Sequence, residues 1–239
     1  MATAGTDCKP WRWLNRTWRH ARRHFRTFPP LPRDACLVDA GAYKGDFTAE
    51  ALAYWSPARV WMVEANPELA EGLRQRFGTH PACHVLHAAI ASACGEADLR
   101  INENLGSTSL LPILPDAASR LGQPLGEKRT VRVPARTLNA LFDEAGIERV
   151  DLMKVDIQGA ERQLIEGGHR ALARVNALLM EVMFVPQYEG AADFEELHRL
   201  LRAEGFRLRG FSDGRLGTDG TLAYADALFI RPCGTGGPT

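Results

Sequence analysis

Several patterns are missing from these 239 residues, and each absence narrows the reading. The five cysteines, Cys8, Cys36, Cys83, Cys94 and Cys233, are odd in number, far apart and form no CxxC pair. That excludes a disulfide framework and a cysteine-rich zinc module. No apolar run approaches the roughly 20 residues of a membrane span. The first residues carry no apolar leader segment, so a reducing cytoplasm is the expected compartment. Net charge is absent too, because 29 Lys and Arg balance 29 Asp and Glu. The chain as a whole therefore advertises no nucleic-acid partner. Neither a GxSxG elbow nor a Cys–His nucleophile pattern occurs. His80, His84 and His87 do not amount to a zinc site, since His84 and His87 would point to opposite faces of a strand and a fourth ligand is missing.

What is present begins with an uneven distribution of charge. Residues 9 to 33 hold eight Lys or Arg and no acid, leaving 21 basic against 29 acidic residues elsewhere, a net of −8. Within that arm Trp11, Leu14, Trp18, Ala21, Phe25 and Phe28 recur at spacings of three and four, which predicts one face of an amphipathic helix. Arginines fill the other positions, and Pro29, Pro30 and Pro32 end the pattern. The aromatic stripe would dock on the main domain or on a second subunit, so a homodimer is one expectation. The arginine face would suit peripheral contact with an anionic surface. The expected organisation is a basic arm over 1–34, one domain over 35–232 and a disordered tail over 233–239.

From residue 36 strand and helix patterns alternate. The strands expected are "CLVDA", "RVWMVEA", "CHVLHAAI", "VDLMKVDI" and "ALLMEVMFV", with "FRLRGF" and "ADALFIR" last. Helices are expected over Asp46 to Tyr54, Pro67 to Phe77, Leu138 to Ala145, Ala160 to Arg174 and Ala192 to Glu204. Asn66 and Thr137 are read as N-caps and Gly146 as a C-terminal stop. Such alternation predicts an α/β fold with a doubly wound, mostly parallel sheet. In such sheets ligands bind beyond the carboxyl ends of the strands.

The polar residues at those ends are therefore the candidates. Asp39 ends the first strand, and Gly41 and Gly45 let the backbone approach a ligand. Glu64 ends the second strand, where a carboxylate can accept from both hydroxyls of a ribose. The turn Gly41-Ala42-Tyr43-Lys44-Gly45 lacks the middle glycine of GxGxxG, and an acid precedes it. A carboxylate would repel a pyrophosphate and attract a sulfonium. The turn suits a cationic nucleoside ligand better than a dinucleotide.

The segments "VDAGAYKGDF", "VWMVEANPEL", "HAAIASACGEADL", "GSTSL", "VPARTLNAL", "VDLMKVDIQGAERQLIEG" and "LLMEV" occur in this order over roughly residues 36 to 210. This series resembles the FkbM family of S-adenosylmethionine-dependent O-methyltransferases. Two positions depart from the family's usual pattern: Tyr43 stands where asparagine is usual, and Gln158 where glutamate is usual. The resemblance implies a Rossmann-like class I methyltransferase fold, a seven-stranded mostly parallel sheet with the last strand antiparallel. It implies S-adenosylmethionine as cofactor, with Asp39, Gly41, Tyr43 and Gly45 at its methionine and ribose portions. Glu64 would hold the ribose hydroxyls beside Ala65 and Asn66, and Ala89 and Ile90 would lie against the adenine.

Asp156 and Glu181 end the fourth and fifth strands, and Lys154 precedes Asp156 by two on the same strand face. Asp156 would orient or deprotonate an acceptor hydroxyl. Glu181 would accept a further hydrogen bond, or share a divalent cation such as Mg²⁺ with Asp156. A structural ion pair of Lys154 and Glu181 is the bland alternative. The Gly- and Pro-rich stretch from Asn102 to Lys128 reads as a lid or substrate wall, or else as a loose insertion. Ser107, Thr108 and Ser109 within it offer hydroxyls to a polar acceptor. The resemblance implies a sugar, glycolipid or secondary-metabolite alcohol as that acceptor. A nicotinamide-dependent oxidoreductase and a non-catalytic partner protein of the same fold are the competing readings.

Overall fold

The computed structural model describes residues 31–232. The expected amphipathic helix and the C-terminal tail lie outside the described residues.

The first strand, β1 (Cys36–Ala40), leads through a glycine turn into α1 (Asp46–Trp55). Then follow β2 (Arg59–Glu64), α2 (Pro67–Phe77) and β3 (Cys83–His87). Asn66 caps α2 by accepting from the amides of Glu68 and Leu69, with Pro67 in the first turn. That is the start expected of an Asn-Pro pair. Two short elements, β4 (Ala89–Ile90) and β5 (Gly95–Asn102), precede a 3₁₀ turn at Leu105–Ser107 and the short helix α3 (Ala117–Leu121). β6 (Glu127–Arg136) returns, and α4 (Leu138–Ala145) starts on Thr137, whose hydroxyl accepts from Ala140 N at 3.1 Å. The chain continues with β7 (Leu152–Val155), α5 (Glu161–Glu166), α6 (His169–Leu172), β8 (Ala177–Met183), α7 (Phe194–Ala203), β9 (Arg207–Leu216) and β10 (Leu222–Ile230).

The main sheet has seven strands in the order β3-β2-β1-β7-β8-β10-β9. β10 runs antiparallel to both its neighbours, and the other pairs are parallel. The sequence reverses direction between β1 and β7, so the switch point lies where their carboxyl ends part. One face of the sheet packs Val38, Met153, Val155, Leu178 and Met180 against Leu141, Phe142, Leu164, Leu172 and Leu201 from α4 to α7. The other packs Leu37, Val60, Met62 and Leu179 with Ala51 and Trp55 of α1 and Leu73 and Phe77 of α2.

Two expected elements come out differently. "CHVLHAAI" is not one strand. After Ala88 N donates to Glu64 O at 3.1 Å, the chain leaves β2, and Ala89–Ile90 pair with Ala135–Arg136 of β6. This starts a second sheet, β4-β6-β5, over the carboxyl edge of the first. The expected helix from Ala160 to Arg174 breaks at Gly167 and Gly168. A Cβ on Gly167 would lie 2.8 Å from Ala91 O, and one on Gly168 would lie 2.4 Å from Leu164 O. Gly167 is thus pressed against the chain that follows β4, and helix resumes only at His169.

Candidate cofactor and acceptor site

The turn from Gly41 to Gly45 holds three left-handed residues, Gly41 at φ 79°, Tyr43 at 52° and Gly45 at 81°. Gly41 is required sterically: a Cβ there would stand 1.9 Å from the backbone oxygen of Asp156. The carboxyl ends of β1 and β7 therefore meet with no side chain between them. Four amides of the turn are already occupied. Gly41 N and Ala42 N donate to Val63 O at 2.9 and 3.1 Å, and Gly45 N donates to Ala42 O at 2.7 Å. Tyr43 N donates to Glu64 Oε2 at 2.7 Å. A phosphate-binding turn needs such amides free, and this one spends three of them on β2 and the fourth within the turn.

Glu64 is 7% exposed and lines a cleft between the two sheets. Its Oε1 accepts from Asn66 N at 2.8 Å. Desolvation raises its carboxyl to about 7, although the amides of Asn66 and Tyr43 favour the charged form. A carboxylate has about four lone-pair sites, so both oxygens can each accept one further donor. The cleft is partly open to solvent. Its apolar end is walled by Ala65, Leu69, Ala89, Ile90 and Leu99, and its other end by Gly41, Asp156, Ile157 and Gln158.

Leu105, Gly106, Thr108, Ser109 and Leu110 close the third side. The stretch that holds them is tied down along its length. Leu114 N donates to Gln187 O at 2.9 Å, Glu189 N to Pro112 O at 2.8 Å and Arg120 to Pro186 O at 2.7 Å. The geometry is that of a wall. Ser107 Oγ donates to Asn104 O at 2.7 Å, and Ser109 Oγ donates to Gln158 O at 2.6 Å while accepting from Leu111 N. Both hydroxyls are committed to the wall itself. Thr108 Oγ1 is buried at the cleft and has no hydrogen-bond partner among the described residues.

Tyr43, Glu64, Ala65, Ala89, Ile90 and Asp156 are thus brought to one cleft together with Gly41, Thr108 and Ser109. Asp39, Gly45 and Asn66 stand behind its wall. Asp39 is 1% exposed, with Thr48 Oγ1 donating to it at 2.7 Å. Burial raises its carboxyl, against the pull of Lys154. Gly45 faces Phe77 and Leu73, and Asn66 is spent on its helix cap.

At the β7–β8 rim Lys154 Nζ lies 2.9 Å from Asp156 Oδ2. Burial opposes the ammonium charge, but Asp156, Asp226 and Asp39 outweigh it and hold the lysine protonated. The bland alternative paired Lys154 with Glu181; the observed partner is Asp156. Gln158 Nε2 donates to Asp156 Oδ1 at 2.6 Å and to Glu181 Oε1 at 3.0 Å. Glu181 itself is pushed well up by desolvation and by Asp156, against Lys154. No set of three or more His, Cys, Asp or Glu gathers as a metal site among the described residues.

Sequence reasoning missed Tyr188 and Glu161. Tyr188 is 1% exposed, and its hydroxyl lies 2.7 Å from Gln158 Oε1 and 3.1 Å from Ser107 O. No periodicity marks it, because it sits in the irregular stretch between β8 and α7. Glu161 is 3% exposed and accepts from Gly159 N at 3.3 Å. A helix start explains an acid there without any further role, so the sequence offers no second signal.

Comparison with known proteins agrees with this geometry. Residues 39–208 match the family model described as the methyltransferase FkbM domain. The chain is 27% identical over 177 residues to the 2-O-methyltransferase NoeI of Sinorhizobium fredii, covering 70% of this chain and 71% of that protein. It is 28% identical over 231 residues to the AMB antimetabolite synthetase AmbE of Pseudomonas aeruginosa, covering 84% of this chain but only 11% of AmbE. The crystal structure of methyltransferase FkbM from Methylobacillus flagellatus superposes with a TM-score of 0.54 at 16% identity, over 85% of this chain and 45% of that one. That likeness concerns the fold. The family match spans well over half of the sequence and every strand end that lines the cleft, and the chain belongs to the FkbM methyltransferase family.

Proposed function

We propose that the protein is an S-adenosylmethionine-dependent O-methyltransferase acting on a hydroxyl of a small-molecule or glycan acceptor. One observation carries the choice of cofactor: the turn after β1 spends the amides of Gly41, Ala42 and Tyr43 on Val63 and Glu64 of β2, which favours a carboxylate over a phosphate cradle at the nucleoside site. Glu64 would hold the ribose hydroxyls, and Ala65, Ala89, Ile90 and Leu99 would flank the base. Tyr43 and Gly41 would border the methionine portion. Bound there, the cofactor supplies a methyl group on a sulfonium centre.

Asp156 would accept the hydrogen bond of the acceptor hydroxyl and take its proton as the oxygen becomes cationic. A fixed negative charge beside that oxygen favours the developing charge. General-base help is worth roughly 10²–10⁴-fold, whereas positioning contributes about 7–11 kcal/mol. An ordinary carboxylate therefore suffices if it is well held, and Lys154 and Gln158 hold it. Thr108 offers its unengaged hydroxyl to the ligand from the wall. A sugar, glycolipid or secondary-metabolite alcohol is the acceptor class we favour. The printed name of NoeI, a 2-O-methyltransferase, supports transfer to oxygen.

Calorimetric titration with S-adenosylhomocysteine and, separately, NAD tests this reading. Binding of the first at micromolar affinity and none of the second is the expected result. NAD binding alone would establish the oxidoreductase reading instead. Once an acceptor is found, Asp156→Asn should keep cofactor affinity and lose about 10²-fold or more in turnover. Full turnover in that variant would remove Asp156 from the chemistry.

A further inference from the structure

Two carboxylates that meet at one point repel unless positive charge or donors intervene. Asp156 and Glu181 meet at Gln158 Nε2, at 2.6 and 3.0 Å. Both hydrogens of the amide are thereby spent on carboxylate oxygens. A divalent cation shared by Asp156 and Glu181 would need that same point. The amide nitrogen occupies it, and the residues present do not fit a bound cation.

The direction of the amide follows from its surroundings. Tyr188 tolerates either direction, because its hydroxyl can donate to Gln158 Oε1 or to Ser107 O. Asp156, ion-paired with Lys154, does not. Reversal would aim the amide oxygen at its Oδ1, and hydrogen-bond networks are what decide such orientations. Asp156 Oδ2 is meanwhile taken by the Lys154 ammonium at 2.9 Å, which would repel a nearby dication. The backbone holds Gln158 in place as well. It sits in the left-handed region at φ 53°, and its carbonyl accepts from Ser109 Oγ at 2.6 Å. A strained residue persists where its surroundings over-determine it.

We propose that Gln158 stands in for a divalent cation: its amide holds Asp156 and Glu181 in register, so the acceptor site is organised without metal. Gln158 is then a positioning residue that acts through Asp156. The inference rests on the methyltransferase reading for its catalytic meaning, although the cation question can be tested separately. Gln158→Glu exchanges two donors for a third carboxylate, so that three carboxyl groups outnumber the one ammonium of Lys154 and offer the oxygen donors that Mg²⁺ and Mn²⁺ take.

The test is Mn²⁺ titration of the full chain followed by electron paramagnetic resonance, with Mn²⁺ alone as the probe. The natural sequence should show no site tighter than about millimolar. Gln158→Glu should gain one site at least about tenfold tighter, competed by Mg²⁺ and lost again when Asp156→Asn is added. A stoichiometric micromolar site in the natural sequence that disappears in Asp156→Asn would overturn the proposal. So would a folded Gln158→Glu variant with no gain in Mn²⁺ affinity. Should that variant not fold, the titration of the natural sequence and of Asp156→Asn still decides. S-adenosylhomocysteine calorimetry on the same samples keeps the two readings apart. Its failure sinks the methyltransferase assignment and leaves the Mn²⁺ result standing.

Discussion

Glu64 is an acid whose proposed ligand-binding form and whose burial pull in opposite directions. Desolvation lifts its carboxyl to about 7, yet only the carboxylate can accept from both hydroxyls of a ribose. S-adenosylhomocysteine affinity should therefore fall several-fold between pH 8 and pH 6, about tenfold per unit at most. Calorimetry across that range checks it, with Glu64→Gln expected to bind weakly at every pH. A flat profile in the natural sequence would mean that Glu64 does not hold the ribose. Glu64 was legible as a candidate because an acid closes an apolar strand pattern. Asp39 looked the same in sequence and came out differently. It lies on the α1 side of the sheet, where Thr48 takes its oxygen, and that depends on how a helix packs. The two departures from the family pattern, Tyr43 and Gln158, both adopt left-handed backbone at the cleft, at φ 52° and 53°.

The segment between β5 and β6 poses a question of elements. Its glycines and prolines mark irregular chain, and composition alone cannot separate a loose insertion from a wall. The difference is made by partners distant in sequence, above all Tyr188, whose hydroxyl reaches Ser107 O and Gln158 Oε1. Tyr188→Phe should cost about 1–2 kcal/mol, since at least one buried acceptor loses its donor. Urea denaturation measures this. Hydrogen exchange should rise more in residues 103–116 than in β1 or β7, because the loss falls on the wall. Equal change throughout would mean that Tyr188 serves the core generally. The caps tell the opposite story. Asn66, Thr137 and Gly146 were legible one by one, because each satisfies helix-end groups within four residues of itself.

For the molecule as a whole, buried acids set the response of stability to pH. Glu64 and Glu161 are both raised from 4.5 to about 7, chiefly by desolvation. Between those values the folded state keeps protons that the unfolded chain has released. Stability must then fall as pH rises through this window, by roughly 3 kcal/mol at most for each group. Asp39 and Glu181 are raised as well and act in the same sense. Thermal unfolding at pH 5 and pH 8 should give the lower midpoint at pH 8. The Glu64→Gln/Glu161→Gln variant should flatten the trend, and an unchanged slope would assign it to other groups.

Periodicity in the chain was enough to establish an α/β alternation, most helix starts and the acids at strand ends, because each of these signals is local. Hydrophobic spacing dictates a face, and a cap needs only its own turn. The fold class followed from the same alternation together with the family resemblance. Non-local packing decided the rest. Whether Ala89 and Ile90 continue β3 depends on β6, some 45 residues on. Which carboxylate Lys154 pairs with depends on where β8 and Gln158 lie. Those partners are assembled only when β1, β7 and β8 come side by side, and no spacing along one segment encodes the distance between two others.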